Sequence, residues 1–397
     1  MKAKNPPKRI LFIASQPFFE WRGSPIRLGF DVMSLSQLGY EVDFLTLPLG
    51  QRREVPGVRI VRAPNIFLAK KIAIGPSLLK LAFDGVMFFM ALGMVLRRRY
   101  AVVHGVEDAG IVAWAASRIG RAGLVFEKHS DPSSYKKGKG RNFVMRAYTA
   151  VEHFVIRHAD AVIGTGPALV EQAMAAGCGG RACHIPDIPS SLAVPTPDAT
   201  AAERAKYAGG KDCVLCAYVG SFAVYQGIDL LFEAICKAAA QEPRARFLII
   251  GGTPQEIAAR REQLRAAGVE DAVSFAGFIA PDALPNTLAA ADVLLSPRIA
   301  GANTPLKLLD YLKAGGAIVA TDCEANRLIL DERSALLVQP RADDFAKAIV
   351  ALCRDEAMRR RIASGGAGLL EEKYNFGAFK AGLKDCYLYV LDRRGKR

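Results

Sequence analysis

Residues Asp292–Asp322 read DVLLSPRIAGANTPLKLLDYLKAGGAIVATD. Two apolar runs, DVLLSP and AIVATD, flank a glycine-containing loop and a segment whose Leu308, Leu309 and Leu312 share one helical face. Strand, loop, helix and strand in that order imply a parallel sheet with the helix packed across it. The helix opens at Pro305 and carries Lys307 in its first turn. A helix amino end holds partial positive charge, so a cation there is unfavourable unless an anion sits alongside. Asp310, three residues on, lies on the same side and is a possible i,i+3 partner. A helix start that tolerates its own lysine points to phosphate.

The same alternation runs outward in both directions. Before the quoted stretch come VLCAYVG, RFLIIGG and AVSFAG; in the amino-terminal half come RILFIAS, EVDFLTL, VRIVRA, AVVHGV, GLVFEK and DAVIGT. Short apolar runs alternating with helical patterns predict an α/β fold with two doubly wound parallel sheets. A chain of 397 residues is long enough for two such domains. The segment from Asp187 to Lys211 is rich in Pro, Ala and Thr and poor in large apolar residues, the signature of a linker. The expected organisation is residues 1–190, a linker at 191–211, residues 212–372, and a helix over 373–397 that returns to the first domain. Paired doubly wound domains place ligands at the carboxyl ends of their strands, in the cleft they face across.

Composition narrows the class. Apolar residues make up 51% and charged residues 23% of the chain, as in a soluble globular protein. The net charge of +14 is uneven. Residues 1–195 hold 26 Lys plus Arg against 14 Asp plus Glu, a net +12; the remainder holds 27 against 25, a net +2. The first half is therefore expected to meet something negative. Eight cysteines are scattered without a secreted framework, and Cys213 and Cys216 stand in an apolar strand rather than on a metal-binding loop. The apolar run Ile10–Ala14 near the amino terminus is too short for an export signal and reads as the first strand. These features fit a reducing cytoplasm.

Glycine loops supply the second sign of phosphate chemistry. Gly220 and Gly227 bracket the loop after VLCAYV. After RILFIAS, the loop holds Arg22, Gly23, Ser24 and Pro25, with Gly23 suited to close backbone approach and Ser24 and Pro25 to the cap and first turn of a helix. A complete G-x-G-x-x-G is absent after the first strand, which disfavours a nicotinamide enzyme.

The segments YVGSFAVYQGIDLLFEA, FAGFIAPDALPNTLAAADVLLSPR, NTPLKLLDYLKAGGAIVATD, RGSPIR and EKHSD, in that order and spacing, resemble glycosyltransferase family 4, the retaining transferases of the GT-B fold. The resemblance runs along nearly the whole chain. It implies a nucleotide diphosphate sugar donor, no cofactor and no metal, and no D-x-D metal motif is present. By position it implies that Lys307 pairs with the donor diphosphate and that Asn303, Thr304 and Pro305 present backbone and cap groups near it. Asp310 would bind the ribose hydroxyls, and the Phe278–Ile279 segment would read the base through its backbone. Gly23 would offer an N–H to the diphosphate, and His129, at a strand's carboxyl end, would approach the transferred sugar. Four positions depart from the family pattern, the first being Asp310, which replaces the second of two glutamates that many relatives carry. Ala302 stands where many relatives have Glu, and Ser221 and Gln226 stand where many have Arg and Lys. Lys307 is then nearly alone unless Arg298 or Arg22 compensates.

His104 is a weaker candidate, and His153, His158 and His184 read as structural. Gly85–Leu96 is uninterrupted apolar sequence followed by Arg97, Arg98 and Arg99. A span needs about 20 such residues, so the stretch reads either as an interfacial helix, carrying Met87, Phe88 and Phe89, or as a core helix. Lys136, Lys137, Lys139 and Arg141 add a basic loop without the aromatic ladder of nucleic-acid binders. The resulting expectation is a cytoplasmic transferase, peripheral on the inner face of the membrane. It would act on a lipid-linked or saccharide acceptor and bind no nucleic acid. Two other readings stay open at this stage: a non-catalytic basic protein binding nucleic acid or lipid, and another GT-B activity such as nucleotide-sugar epimerisation.

Overall fold

A computed structural model describes residues 8–19, 23–72, 77–130, 139–210, 212–300 and 304–395. The chain divides into two compact units, one of Met1–Asp187 with Phe376–Arg397 and one of Ile188–Asn375.

The first unit holds a seven-stranded sheet: β1 (Arg9–Ala14), β2 (Glu41–Thr46), β3 (Val58–Arg62), β4 (Val102–Val106), β5 (Gly123–Lys128), β6 (Ala161–Gly164) and β7 (Ala182–His184). Their order is β3-β2-β1-β4-β5-β6-β7, and every recorded pairing is parallel. Central strands such as β4 and β5 are buried along their full length, because helices cover both faces of a parallel sheet. The direction of winding reverses between β1 and β4. In sheets of this kind that reversal, at the carboxyl ends of the strands, is where ligands bind.

The second unit repeats the plan with β8 (Val214–Val219), β9 (Ala245–Ile250), β10 (Val273–Gly277), β11 (Val293–Ser296), β12 (Ala317–Thr321) and β13 (Leu336–Val338), ordered β10-β9-β8-β11-β12-β13. Here the reversal lies between β8 and β11. These two strands pair at Val293↔Cys216 and Leu294↔Ala217. Beyond it the buried Tyr311 hydroxyl accepts the Val219 N–H at 3.0 Å and donates to the Leu295 carbonyl at 3.1 Å.

The short edge strands β7 and β13, three residues each, extend the expected sheets. The stretch read as a linker contains a helix, Pro197–Tyr207, folded with the second unit. Arg204 fastens it by donating to the Ala290 and Cys213 carbonyls and to Asp292. The terminal helix Phe376–Gly395 belongs to the first unit, where Tyr387 and Phe379 are buried.

Helix Leu78–Arg97 is the one helix among the described residues long and apolar enough to cross a membrane. It nevertheless commits one face to the core: Phe83, Met87, Ala91 and Val95 are buried at a four-residue spacing. Met87 therefore follows the core reading of this helix rather than the interfacial one. Leu78, Leu81, Phe89 and Leu96 stay exposed.

Candidate functional site

In the second unit the site is built where β8 and β11 part. Gly220 ends β8 with a positive φ, and a Cβ there would stand 2.7 Å from the Tyr218 hydroxyl and 3.7 Å from the Lys307 ammonium. Gly227 closes the same loop at φ +73°, and its Cβ would collide with the Pro297 carbonyl at 1.8 Å. Glycine is needed at both places so that the loop can lie against the end of β11. Ser221 is exposed within this loop and accepts the Tyr218 hydroxyl on its carbonyl at 2.9 Å.

Lys307 reaches into this corner from helix Leu306–Ala314. Its ammonium donates to Gln226 Oε1 at 2.9 Å and lies 4.5 Å from the Tyr218 ring centroid. Burial, with the like charge of Arg298 second, pushes it down to about 7. Arg298, buried, donates to the Ala300 carbonyl at 2.8 Å and lies 5.3 Å from the Tyr225 ring centroid. Neither cation has a carboxylate partner among the described residues. Pro305 is the N-cap of the lysine's helix and offers no side-chain cap; its carbonyl accepts the Leu308 N–H at 2.9 Å. Two like charges, a helix amino end and glycine backbone converge on one place. An anion is what such a place accommodates.

Asp310 sits one turn further along. It does not pair with Lys307; its Oδ1 accepts the Ser190 N–H at 2.7 Å and the Ser190 hydroxyl at 2.9 Å. Burial pushes its carboxyl up to about 6 against the opposing effect of those two bonds. Phe278 projects from the end of β10 at 73% exposure, while Ile279 packs against the core beneath. Thr304 is half-buried and Pro305 buried; Asn303 and Ala302 lie outside the described residues.

In the first unit, helix Gly23–Gln37 includes Ser24 and the buried Pro25. Arg22 lies outside the described residues. One turn on from Gly23, buried Arg27 donates to Glu127 Oε1 at 2.5 Å and to Asp187 at 3.0 Å. Glu127 also meets both candidate histidines. His129 Nε2 lies 2.9 Å from Oε1, and His104 Nε2 lies 2.9 Å from Oε2. Burial alone would raise the Glu127 carboxyl, but Arg27 and the histidine bonds hold it well below the usual carboxylate range. Burial likewise works to lower His129, yet its bond to Glu127 and that residue's charge, aided by Glu107, win and raise it. His104 goes the other way, lowered by burial, with Nδ1 on the Tyr387 hydroxyl at 2.7 Å. His104 is thus a core histidine holding the terminal helix, and His129 is the one at the strand's carboxyl end. Glu152 pairs with the buried Lys128 at 2.7 Å.

Two family models account for most of the chain. A glycosyl transferase 4-like domain matches residues 32–186, and the glycosyl transferases group 1 domain matches residues 214–355. The chain belongs to the family 4 glycosyltransferases of the GT-B fold. Among curated proteins this family member is 26% identical to the alpha-D-kanosaminyltransferase of Streptomyces kanamyceticus, over 46% of this chain and 47% of that protein. It is 28% identical to the phosphatidyl-myo-inositol mannosyltransferase of Mycobacterium leprae, over 36% of this chain and 37% of that protein. In both, the match spans less than half of the relative's length. The sucrose-phosphate synthase structure from Thermosynechococcus elongatus has the same fold: TM-score 0.73, 20% identity, covering 97% of this chain and 100% of that one.

The sequence reading did not single out Glu127, Arg27 or Tyr311. Glu127 had a signal, a carboxylate inside the apolar run GLVFEK, where an unpaired charge would be costly. Arg27 and Tyr311 had none, because their partners are distant in sequence.

Proposed function

We propose that the protein is a retaining glycosyltransferase that moves a sugar from a nucleotide diphosphate sugar to a membrane-associated saccharide or lipid-linked acceptor. The carrying observation is the pair of cations, Lys307 and Arg298, held on neutral partners at the strand reversal of the second unit. Their work would be electrostatic, neutralising the diphosphate as it departs. Calorimetric titration with UDP, GDP and ADP sugars tests the reading. Binding of one of them at micromolar concentration is expected, and binding of none would overturn it.

The acceptor side of the proposal is supported by the first unit's surface. Helix Leu78–Arg97 leaves Leu78, Leu81, Phe89 and Leu96 exposed, and Arg97, Arg98 and Arg99 follow, also exposed. An apolar strip with a basic collar suits a shallow seat on anionic lipid. The curated mannosyltransferase relative is named for a phosphatidylinositol acceptor. Lys136 and Lys137 of the basic loop lie outside the described residues, as do the side chains of Lys139 and Arg141. Each basic residue near such a surface contributes about 1 kcal/mol, screened over about 8 Å at physiological salt. Flotation on anionic liposomes should therefore fall sharply in high salt and in a variant with Arg97, Arg98, Arg99, Lys136, Lys137, Lys139 and Arg141 changed to Gln. A salt-resistant remainder should disappear with Phe89→Ser. Equal flotation of wild type and the seven-residue variant would remove the membrane from the proposal.

A further inference from the structure

All eight cysteines are free thiols, and one pair of them meets at the edge of the first unit's sheet, outside both strand reversals. Cys183 lies in β7, the last strand, opposite Ile163 of β6. The pairing continues past the end of β7, where the Ile185 N–H donates to the Gly164 carbonyl at 3.1 Å. Cys183 and Ile185, two residues apart, therefore share one face of the sheet. The terminal helix Phe376–Gly395 packs on that face: a Cβ on its Gly382 would stand 3.3 Å from Ile185 Cγ1. Cys386, four residues on, follows on the same side of the helix. The two contacts run in step, Gly382 over Ile185 and Cys386 over Cys183, with a hydrogen bond joining the two thiols.

The two thiols are unlike. Cys183 is half-buried on an edge strand, whereas Cys386 is buried in the core. The bond from Cys386 pulls the Cys183 thiol down to about 7, against burial and the nearby Asp385. The same bond, with burial, pushes Cys386 up. A half-buried thiol that ionises near neutral pH, beside a second thiol that stays protonated, is the arrangement of an attacking and a resolving cysteine. The second unit also holds a thiol pair, Cys216 and Cys353, but both of its members are buried. Only the first pair offers a member to an oxidant in solution.

We propose that Cys183 and Cys386 form a redox modification site, oxidised by peroxides to a disulfide that fastens the terminal helix to β7. The Cys183 thiolate attacks one peroxide oxygen and the O–O bond breaks. Hydroxide leaves, taking up the proton that Cys183 had released, and Cys183 becomes a sulfenic acid. The Cys386 sulfur then attacks the sulfenic sulfur, the S–O bond breaks, and water departs with the Cys386 proton. Two thiols and one hydrogen peroxide thus give one disulfide and two waters, and a small-molecule dithiol reverses the change by exchange. The helix so fastened is the one whose Tyr387 hydroxyl meets His104 and whose Phe379 ring centroid lies 5.0 Å from the Arg27 guanidinium. In the chain the two cysteines stand on either side of Ile188–Asn375, so the bridge closes a loop that contains the whole second unit. The site does not depend on the glycosyltransferase reading.

The test treats the reduced full-length chain with hydrogen peroxide at about pH 7, followed by alkylation under denaturing conditions and peptide mass spectrometry. A Cys183–Cys386 cross-linked peptide is expected, and dithiothreitol should remove it. Cys183 should be consumed about five-fold faster than Cys213, Cys236 and Cys323, which are half-buried like it. In Cys386→Ser, oxidation should stop at a sulfenic acid that dimedone traps on Cys183. In Cys183→Ser, Cys386 should remain alkylatable; this variant changes the half-buried thiol and reads the site even where Cys386→Ser fails to fold. Oxidised wild type should melt about 5 °C higher than the reduced protein, because the bridge restrains the unfolded chain, and peroxide should give no such rise in Cys183→Ser. Three results would overturn the site: no cross-linked peptide from folded wild type, consumption of Cys183 no faster than that of the other half-buried thiols, or oxidation of Cys386 undiminished in Cys183→Ser. A cross-link without a rise in Tm would overturn the fastening.

Discussion

Lys307→Ala should weaken nucleoside diphosphate binding about 10- to 150-fold, because a charge-assisted contact to an anion is worth about 1.5 to 3 kcal/mol. The parent nucleoside, lacking the diphosphate, should bind both proteins alike. The loss is expected to be this large because the cation has little reserve behind it: Ser221 and Gln226 are neutral, and Arg298 is already turned onto the Ala300 carbonyl. The same lysine predicts a proton signature. With its ammonium pushed down to about 7, at about pH 8.5 the empty site holds Lys307 mostly neutral. An arriving diphosphate favours the charged form and draws a proton from solvent. Binding enthalpy at that pH should therefore vary with the ionisation enthalpy of the buffer in wild type and not in Lys307→Ala. At about pH 5.5 the lysine is already charged, and its share of the uptake should vanish. Equal diphosphate affinity in the two proteins would remove Lys307 from the site.

How far the sequence anticipates this arrangement depends on the range of each contact. Strand–helix alternation is local, so the central strands of both sheets are readable from it, including Cys216 as a buried strand residue rather than a metal ligand. The edge strands β7 and β13 are too short to show a period. Helix Pro197–Tyr207 hides in a linker-like composition because it buries no side chain fully and is anchored by Arg204 hydrogen bonds instead. The pairing of Lys307 with Asp310 was reasonable on helical spacing alone. In the fold Lys307 finds Gln226 and Asp310 finds Ser190, both far away in sequence.

Glu127→Gln should have the largest effect on the stability of the first unit. The wild-type carboxylate is fully buried and compensates Arg27 at 2.5 Å and His129 at 2.9 Å, with His104 beside it. A neutral amide leaves the buried guanidinium with Asp187 as its ion-pair partner. Removing one member of a buried ion pair costs about 3 to 5 kcal/mol, chiefly because the remaining charge loses its compensation. For a unit of this size that corresponds to a fall of roughly 10 °C in Tm. The pH dependence identifies the cause. His129 is raised above its ordinary value in the folded wild type, so the folded state binds its proton more tightly than the unfolded chain does. That part of the stability is fully present below about pH 6.5 and is lost as pH rises through the raised folded value. In Glu127→Gln the charge of the main partner is gone and Glu107 alone opposes the lowering by burial, so the variant loses most of it. The Tm gap between the two proteins should be widest in mild acid and should narrow as pH rises, levelling at the part owed to Arg27. Melting curves across that range, with the His129 ring titrated by NMR, give both quantities. A gap independent of pH would mean that His129 is not held by Glu127, and no gap at all would mean that the cluster contributes nothing to the fold.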